Sequence, residues 1–213
     1  MRFGYVLDAS TSRVTREDFR RLRDQGFEGF IQCLQTGGFS ATQTQVRGVA
    51  APNISDALTE GFAVGGYLNS QPWRLAQVIH DDAISVAGPF WPELQMVAND
   101  MEIDGITEEH CAAAQHLLWA DGKRAPAYTA WWFAGPRGGM GYSWIPARWD
   151  ADYDGRPADF QVQWGPSTAP VVGKQYAGTT DLGGDLFDLN FFDLDYLRTP
   201  VVPAEEDDMF DQN

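Results

Sequence analysis

Apolar strands alternate with helices along the first 130 residues of this 213-residue chain. Strands are predicted at 3–8, 29–34, 62–68, 94–102 and 126–130. Because strand–helix–strand connections cross over with one hand, these strands are expected to be parallel neighbours. Beyond residue 130 the helical pattern fades, and short aromatic strands are predicted near 147–153, 171–176 and 186–192. Strand–helix units followed by strands without helices predict an irregular α/β barrel.

Local signals mark several of the helices. Thr15 and Asp18 form a capping box for a helix near residues 16–25, and Thr107 is expected to cap a later one. The segment up to residue 51 is expected to be a long loop before a helix at 53–60. An apolar stripe predicts a further helix from about residue 72, formed by Leu75, Ile79, Ala83 and Val86.

Four carboxylates lie at or near the ends of predicted strands. Asp100 and Glu102 follow an apolar strand, and side-chain alternation should point both to one side, with Cα atoms about 6–7 Å apart. Asp8 ends the first strand and Asp188 lies in the last one. Catalytic residues of such barrels come from the C-terminal ends of several strands, so we expect one acidic cluster. Paired carboxyl groups at this spacing cleave glycosidic bonds, one as proton donor and the other as nucleophile or stabiliser.

Four short motifs contain these acids and one glutamine: Asp8-Ala9-Ser10, Asp100-Met101-Glu102, Lys174-Gln175-Tyr176 and Phe187-Asp188-Leu189-Asn190. In order and spacing they resemble Asp-Val-Ser, Asp-x-Glu, Trp-Gln-Tyr and Val-Asp-Leu-Asn of the family 25 glycoside hydrolases. These are the Chalaropsis-type lysozymes, or N-acetylmuramidases, found in many bacteriophage endolysins. The resemblance covers nearly all of residues 3–195. It departs from the family pattern at Gln32–Gly37, which replaces Lys-Ala-x-Glu-Gly, at Tyr67-Leu68-Asn69, where Tyr-His-Phe is common, and at Asn99, where an apolar residue is usual.

The resemblance implies an irregular TIM-like (β/α)5β3 barrel and cleavage of the β-1,4 bond between N-acetylmuramic acid and N-acetylglucosamine. Glu102 would be the general acid, with a pKa raised by nearby charges and partial burial. Asp100 would stay ionised, either stabilising an oxocarbenium-like state or orienting a substrate N-acetyl group that attacks. Asp8 and Asp188 would complete the acidic floor; the alternative is that they cap loops.

Aromatic residues cluster at or just beyond predicted strand ends: Tyr67, Tyr128, Trp131, Trp132, Tyr153, Trp164 and Tyr176. Each of them could pack in the core or stack on a sugar ring. Together with the motifs, they give the predicted substrate-binding residues, which are Tyr67, Tyr128, Trp131, Tyr153, Gln175 and Tyr176.

Composition limits the other classes of function. The net charge of −15 argues against nucleic-acid binding, which needs clusters of Lys and Arg. His110 and His116 lie six residues apart on a predicted helix and do not share a face, so no metal site or cofactor is expected. Cys33 and Cys111 are interpreted as buried free thiols. No apolar run approaches ~18 residues, so no membrane-spanning helix is expected.

The length fits one domain at residues 1–198, and the acid-rich segment 199–213 is expected to be a solvated tail. The expected partner is the glycan strand of peptidoglycan, and the protein is expected to be a monomer. With no signal-peptide pattern at the N-terminus, the protein would be made in a host cytoplasm and reach the wall after lysis, or be carried in a virion. Two alternatives remain open: a barrel that binds wall glycan with little or no activity, and a chitinase-like glycosidase, which also uses Asp-x-Glu.

Overall fold

The computed structural model of the protein describes residues 1–37, 40–134, 142–160 and 168–198. Eight strands close into a barrel whose strand order follows the chain. The strands are β1 (Phe3–Ala9), β2 (Phe27–Gln35), β3 (Ala63–Asn69), β4 (Val97–Asp100), β5 (Ala127–Ala130), β6 (Arg148–Ala151), β7 (Val171–Asp181) and β8 (Leu186–Asp193). Strands β1 to β7 are parallel neighbours, whereas β8 is antiparallel to both β7 and β1. The predicted irregular α/β barrel is therefore confirmed.

Helices follow the first five strands. They are α1 (Arg16–Asp24), α2 (Ser40–Thr59), α3 (Ala76–Ala87), α4 (Glu108–Ala120) and the single turn α5 (Trp131–Ala134), while α6 (Leu194–Arg198) ends the described chain. A 3-10 turn at Gly88–Glu93 leads from α3 towards β4. Within the described ranges, no helix has both the length and the apolar character needed to cross a membrane.

The predicted helix caps are present. The Thr15 side chain accepts a hydrogen bond from the Asp18 amide, and the Asp18 carboxylate accepts one from the Thr15 amide. The hydroxyl of Thr107 likewise accepts from the His110 amide at the start of α4. These side chains satisfy amide groups that have no partner within the first helical turn. The capping pattern therefore fixed where both helices begin.

The predicted loop before residue 51 is wrong, because α2 already begins at Ser40. One face of this helix is fully buried against the barrel, and its residues recur at helical spacing: Val46, Ala50, Ile54 and Ala57. Pro52 lies inside the helix and cannot donate the usual backbone hydrogen bond. The buried stripe continues on both sides of the proline, so packing holds the two halves in one element.

The boundaries of three further elements differ from prediction. β4 covers only Val97–Asp100, so Glu102 lies beyond the strand rather than in it. Helix α3 starts at Ala76, and the side chain of Leu75 is 75% exposed, whereas Ile79 is buried as predicted. Strand β7 is longer than expected and continues with β8 as a hairpin beyond the barrel rim.

The core has two layers because side chains of each strand alternate between the barrel interior and the surrounding helices. The interior contains buried side chains such as Val6, Ile31, Ala98, Trp149 and Phe192. The outer layer packs strand residues such as Leu7, Phe30 and Leu34 against Phe19 and Ile54 of the helices. Inside the barrel, the Phe192 ring lies 2.1 Å from where a Cβ of Gly173 would stand, so only glycine fits there. Cys33 and Cys111 are buried free thiols, as predicted.

We expect Ile54→Ala to lower the free energy of unfolding by about 2–5 kcal/mol, because it opens a cavity under α2. Val78→Ala, on the exposed side of α3, is the matched control and should change stability by about 0.5 kcal/mol or less. Urea unfolding followed by circular dichroism measures both. Equal, small effects of the two substitutions would show that α2 does not pack as described.

Candidate active site

All four acids selected from the sequence line one cavity of about 180 Å³. Asp8 on β1 stands opposite Asp188 on β8 in the sheet register, and Asp100 is the last residue of β4. Strands β1 and β8 are neighbours, whereas β4 lies across the barrel from them, and β1 and β4 end at the same rim. The closed barrel thus gathers carboxylates that are up to 180 residues apart in the sequence, Asp8 and Asp188 being the extreme pair.

Asp100 and Glu102 meet by a backbone turn rather than by strand alternation. The Glu102 amide donates a hydrogen bond to Asp100 Oδ1 at 3.0 Å, which folds the chain back over the end of β4. Asn69 Nδ2, at the end of β3, donates to Asp100 Oδ2. Glu102 Oε1 is buried and has no hydrogen-bond partner among the described residues. The two carboxylates therefore stand in contrasting environments, one surrounded by donors and the other with an unpartnered oxygen.

The pKa values of both carboxyl groups are raised. Burial raises the pKa of Glu102, opposed by the Ala130 amide and the Thr129 side chain. Burial also raises the pKa of Asp100 well above its usual range, and the charge of Glu102 adds to that effect. Hydrogen bonds from the Glu102 amide and Asn69 act in the opposite direction. Since two neighbouring negative charges disfavour each other, the two groups titrate as a coupled pair rather than independently.

Asp8 and Asp188 are joined by one side-chain amide. Gln175 Nε2 donates to Asp8 Oδ2 at 3.2 Å and to Asp188 Oδ2 at 3.0 Å. Asn190 Nδ2 also donates to Asp8 Oδ2, at 2.7 Å, and the Thr179 amide donates to Asp188 Oδ1. Burial raises the pKa of Asp8, helped by the charge of Asp188, and burial raises the pKa of Asp188.

Two tyrosines fix the orientation of the Gln175 amide. Its Oε1 accepts hydrogen bonds from the hydroxyls of Tyr128, at 2.5 Å, and Tyr153, at 3.0 Å. The carbonyl oxygen is therefore held on the tyrosine side, and the amide nitrogen must face the two aspartates. Asn190 is oriented in the same way, because its Oδ1 accepts from Trp149 Nε1 at 2.9 Å.

The predicted substrate-binding residues fall into three groups. Tyr67, Tyr128 and Gln175 line the acid cavity, and Tyr153 stands half-exposed at its rim through its bond to Gln175. Tyr176 is not part of the cavity. It follows Gln175 on β7 and so points to the opposite side, where its ring lies 6.5 Å from that of Tyr5.

Two predicted aromatics cannot be placed in the same way. Trp131 opens α5, but its side chain lies outside the described residues. Trp164 and the acidic tail at 199–213 also fall outside the described ranges.

Several site residues were not given a role from the sequence. Asn69 at the end of β3 binds Asp100, Trp149 on β6 lines the cavity, and Thr179 holds Asp188. Asn69 carries the same signal as the acids, since it is a polar residue at a strand end. Trp149 faces inwards by alternation along β6, whereas the role of the Thr179 backbone amide has no sequence signal.

Gln32 of β2 and Asn99 of β4, where the sequence departs from the family pattern, have structural roles. Gln32 is buried, and its Nε2 donates to the Ala9 and Ser10 carbonyls at 3.1 and 3.2 Å. Its Oε1 accepts from Asn53 of α2 at 2.9 Å. Asn99 similarly donates to the Cys111 carbonyl at 2.9 Å and accepts from Ser70. These side chains connect strands to helices and point away from the four acids.

A second cavity of about 190 Å³ adjoins the first and shares Asp8, Tyr67 and Asp188 with it. Its remaining wall is largely polar and includes Ser10 and Thr179. The acids therefore lie along a groove that has room beyond the central cavity. In the part of the chain that the structure describes, no three His, Cys, Asp or Glu side chains are grouped so that they could hold a metal ion.

No protein-family model and no curated protein matches this sequence. Solved structures do match. One is GHIP of Streptococcus pneumoniae, which is described as a glycosyl hydrolase 25 and a virulence factor in host cell invasion. It is 14% identical to this chain, with a TM-score of 0.64, and the match covers 89% of this chain and 86% of GHIP. The catalytic domain of endolysin ply40 from bacteriophage P40 of Listeria monocytogenes is 16% identical with a TM-score of 0.62, over 92% and 96%.

A Tat-secreted protein of Mycobacterium tuberculosis is a more distant match, at 13% identity and a TM-score of 0.50, over 89% of this chain and 95% of that one. At such identities the matches bear on the fold alone. They agree with the resemblance seen in the sequence motifs and with the closed barrel described above. In its fold, this chain is thus similar to a glycosyl hydrolase 25 and to an endolysin catalytic domain.

Proposed function

We propose that the protein is a glycoside hydrolase that cleaves the β-1,4 bond between N-acetylmuramic acid and N-acetylglucosamine in peptidoglycan. One observation carries this proposal. Two neighbouring carboxyl groups, the buried Asp100 and the half-buried Glu102, share one cavity but differ in their hydrogen bonds, since both Asp100 oxygens accept N–H groups whereas Glu102 Oε1 has no partner among the described residues. Glycosidases need such a pair, since one group must donate a proton while the other carries negative charge.

Glu102 is the general acid in this proposal. A buried carboxylate oxygen without a donor is costly, and protonation removes the charge. Both oxygens of Asp100 accept N–H hydrogen bonds, which favour its ionised form. In the proposed reaction Glu102 carries the proton once a sugar is bound, although burial raises the pKa of Asp100 further in the free protein, and this proton passes to the oxygen of the leaving sugar.

Asp100 acts through its charge. Because its oxygens are already engaged by Asn69 and by the Glu102 amide, its lone pairs are less available for a covalent bond to the sugar. The ionised group can stabilise positive charge on the sugar ring, or orient a substrate N-acetyl group that attacks the anomeric carbon. Asp8 and Asp188, held by Gln175, form the floor that binds the sugar next to the reacting bond.

The likeness to two solved structures supports this choice of substrate at the level of fold, because one is described as a glycosyl hydrolase 25 and the other as an endolysin catalytic domain. In keeping with the second likeness, we propose a phage lysin that acts on the wall from outside the cytoplasm, either after release by lysis or as part of a virion.

The test of the reaction uses purified walls from several bacteria. Clearing of the suspension reports hydrolysis, and mass spectrometry of the new reducing ends identifies the bond. New ends at N-acetylmuramic acid support the proposal. Ends at N-acetylglucosamine, or cleavage of chitin instead of walls, would indicate a different glycosidase, and binding without new ends would indicate a glycan-binding barrel.

Glu102→Gln should lower the rate of wall hydrolysis by at least about 10²-fold, because the amide keeps the shape but cannot donate the proton. The matched control is Glu109→Gln on the exposed first turn of α4, which should retain full activity. Circular dichroism should show both variants folded. If the Glu102 variant keeps more than about a tenth of the wild-type rate, another group is the acid.

Asp188→Asn should strongly lower turnover. Both Asp188 oxygens accept N–H groups, from Thr179 and Gln175, and an amide would turn an NH₂ donor towards one of them. Asp24→Asn, an exposed change on α1, is the control. Rates on purified walls measure the effect, and an unchanged rate for the Asp188 variant would show that the β8 carboxylate has no role in the reaction.

The rate should depend on pH as a bell, because the active form has Asp100 ionised and Glu102 protonated. Burial raises the pKa values of both groups, so both limbs should lie above the ordinary carboxyl range. Asn69→Ala removes a donor that lowers the pKa of Asp100, so that pKa should rise and the acid limb should move to higher pH. A kcat/KM profile that keeps the same acid limb in this variant would show that Asp100 does not set it.

A further inference from the structure

Two aromatic rings stand exposed beside the acid cavity, on elements that follow adjacent strands. Trp132 lies on α5 after β5, and Tyr153 follows β6. Their ring centroids are 5.3 Å apart and the planes are tilted by 43°. The side chains are 42% and 50% exposed, whereas Tyr128 and Trp149 just inside the barrel are buried. The pair therefore presents apolar ring faces to solvent at the rim of the site.

Tyr153 is connected to the acids by hydrogen bonds. Its hydroxyl donates to Gln175 Oε1, and the same amide holds Asp8 and Asp188 through Nε2. On the other side, a Cβ on Gly178 of the β7–β8 hairpin would come within 3.8 Å of the Tyr153 ring. The ring thus has a defined position relative to the carboxylates, although half of its surface is open.

A fully buried lysine holds the segment that carries Tyr153. Lys174 Nζ donates to Asp154 Oδ1 at 2.8 Å and to the Asp159 carbonyl at 2.7 Å, and it lies 3.3 Å from Asp152 Oδ2. Two of these partners directly flank Tyr153 in the sequence. We call the contacts of Lys174 with Asp152, Asp154 and Asp159 the lysine clamp. In the motif that this chain resembles, tryptophan stands in place of Lys174, so the clamp is a feature of this sequence rather than of that motif.

We propose that Trp132 and Tyr153 form a saccharide subsite, and that Lys174 is a positioning residue for it. The ligand is a pyranose ring of a β-linked N-acetylhexosamine chain, which packs its C–H face on the aromatic rings while the neighbouring ring occupies the acid cavity. Exposed, preoriented aromatic faces suit such a ligand because they offer a large contact area at little cost in conformational entropy. The inference rests on the proposed function, since it assigns one subsite of the same groove.

The test is calorimetric binding of a tetrasaccharide made of two N-acetylglucosamine–N-acetylmuramic acid units. It is done in the Glu102→Gln background so that the ligand stays intact. Trp132→Ala and Tyr153→Ala should each raise the Kd by about tenfold, the effect of losing one aromatic anchor. Trp119→Ala, which removes an exposed tryptophan of α4 elsewhere on the surface, is the matched control and should leave the Kd unchanged. Wild-type affinity in both rim variants would overturn the subsite.

The role of Lys174 is tested through Tyr153. Lys174→Met should weaken tetrasaccharide binding severalfold when Tyr153 is present and have no further effect in the Tyr153→Ala background, because a positioning residue acts only through the group that it positions. Asp154→Ala opens the same clamp from the loop side and serves if the lysine variant does not fold. Equal losses in both backgrounds would show a general structural role and overturn the assignment.

The two proposals fail in different ways. A protein that hydrolyses walls but binds the tetrasaccharide equally well without Trp132 and Tyr153 retains the proposed reaction and loses the subsite. A protein that binds the tetrasaccharide through these two rings, but releases no reducing ends from walls, keeps the subsite and loses the hydrolase.

Discussion

Side-chain amides that donate to buried carboxylates are the interactions on which this site depends. Four acids in one small cavity repel one another, and burial alone would force them to take up protons. Asn69, Gln175 and Asn190 each direct an N–H group at one or two of these acids, which keeps part of the negative charge in place. The amides are themselves fixed, since Tyr128 and Tyr153 orient Gln175 and Trp149 orients Asn190. The aromatic lining of the cavity therefore maintains the polar network as well as enclosing it.

Barrel closure by an antiparallel strand supplies half of that network. β8 enters between β7 and β1 in reverse direction, and its register places Asp188 opposite Asp8 and Asn190 beside Gln175. A parallel strand would bring only its C-terminal end to this rim. The antiparallel strand instead brings its first half there, and the hairpin that precedes it provides the Thr179 amide for Asp188. The absence of a helix between β7 and β8 in the described chain is thus directly related to the composition of the site.

Local patterns were enough to predict the strands, the capped helices and the four acids, because strand periodicity and position at a strand end are properties of short segments. Contacts that depend on the partner element were not predictable in this way. The first half of α2 was predicted to be a loop, although the buried stripe of this helix at Val46 and Ile54 continues across Pro52. Tyr176 was expected at the site, but Gln175 points inwards and so its neighbour must point out. The burial of Lys174 could not be foreseen either, since it depends on which loop covers the outer face of β7.

The two pairs of acids differ in how their carboxylate oxygens are hydrogen-bonded, and this difference suits them to different roles. Asp8 and Asp188 share the donors of one amide, and neither has a buried oxygen left without a hydrogen bond among the described residues. Glu102 does have such an oxygen, beside an Asp100 whose two oxygens are both engaged. A group that must give up a proton to a ligand needs an atom that the protein itself leaves unpartnered, whereas groups that hold a ligand need a fixed geometry. In the proposed reaction, this asymmetry places proton transfer at the β4 end of the cavity and substrate positioning on the β1 and β8 side.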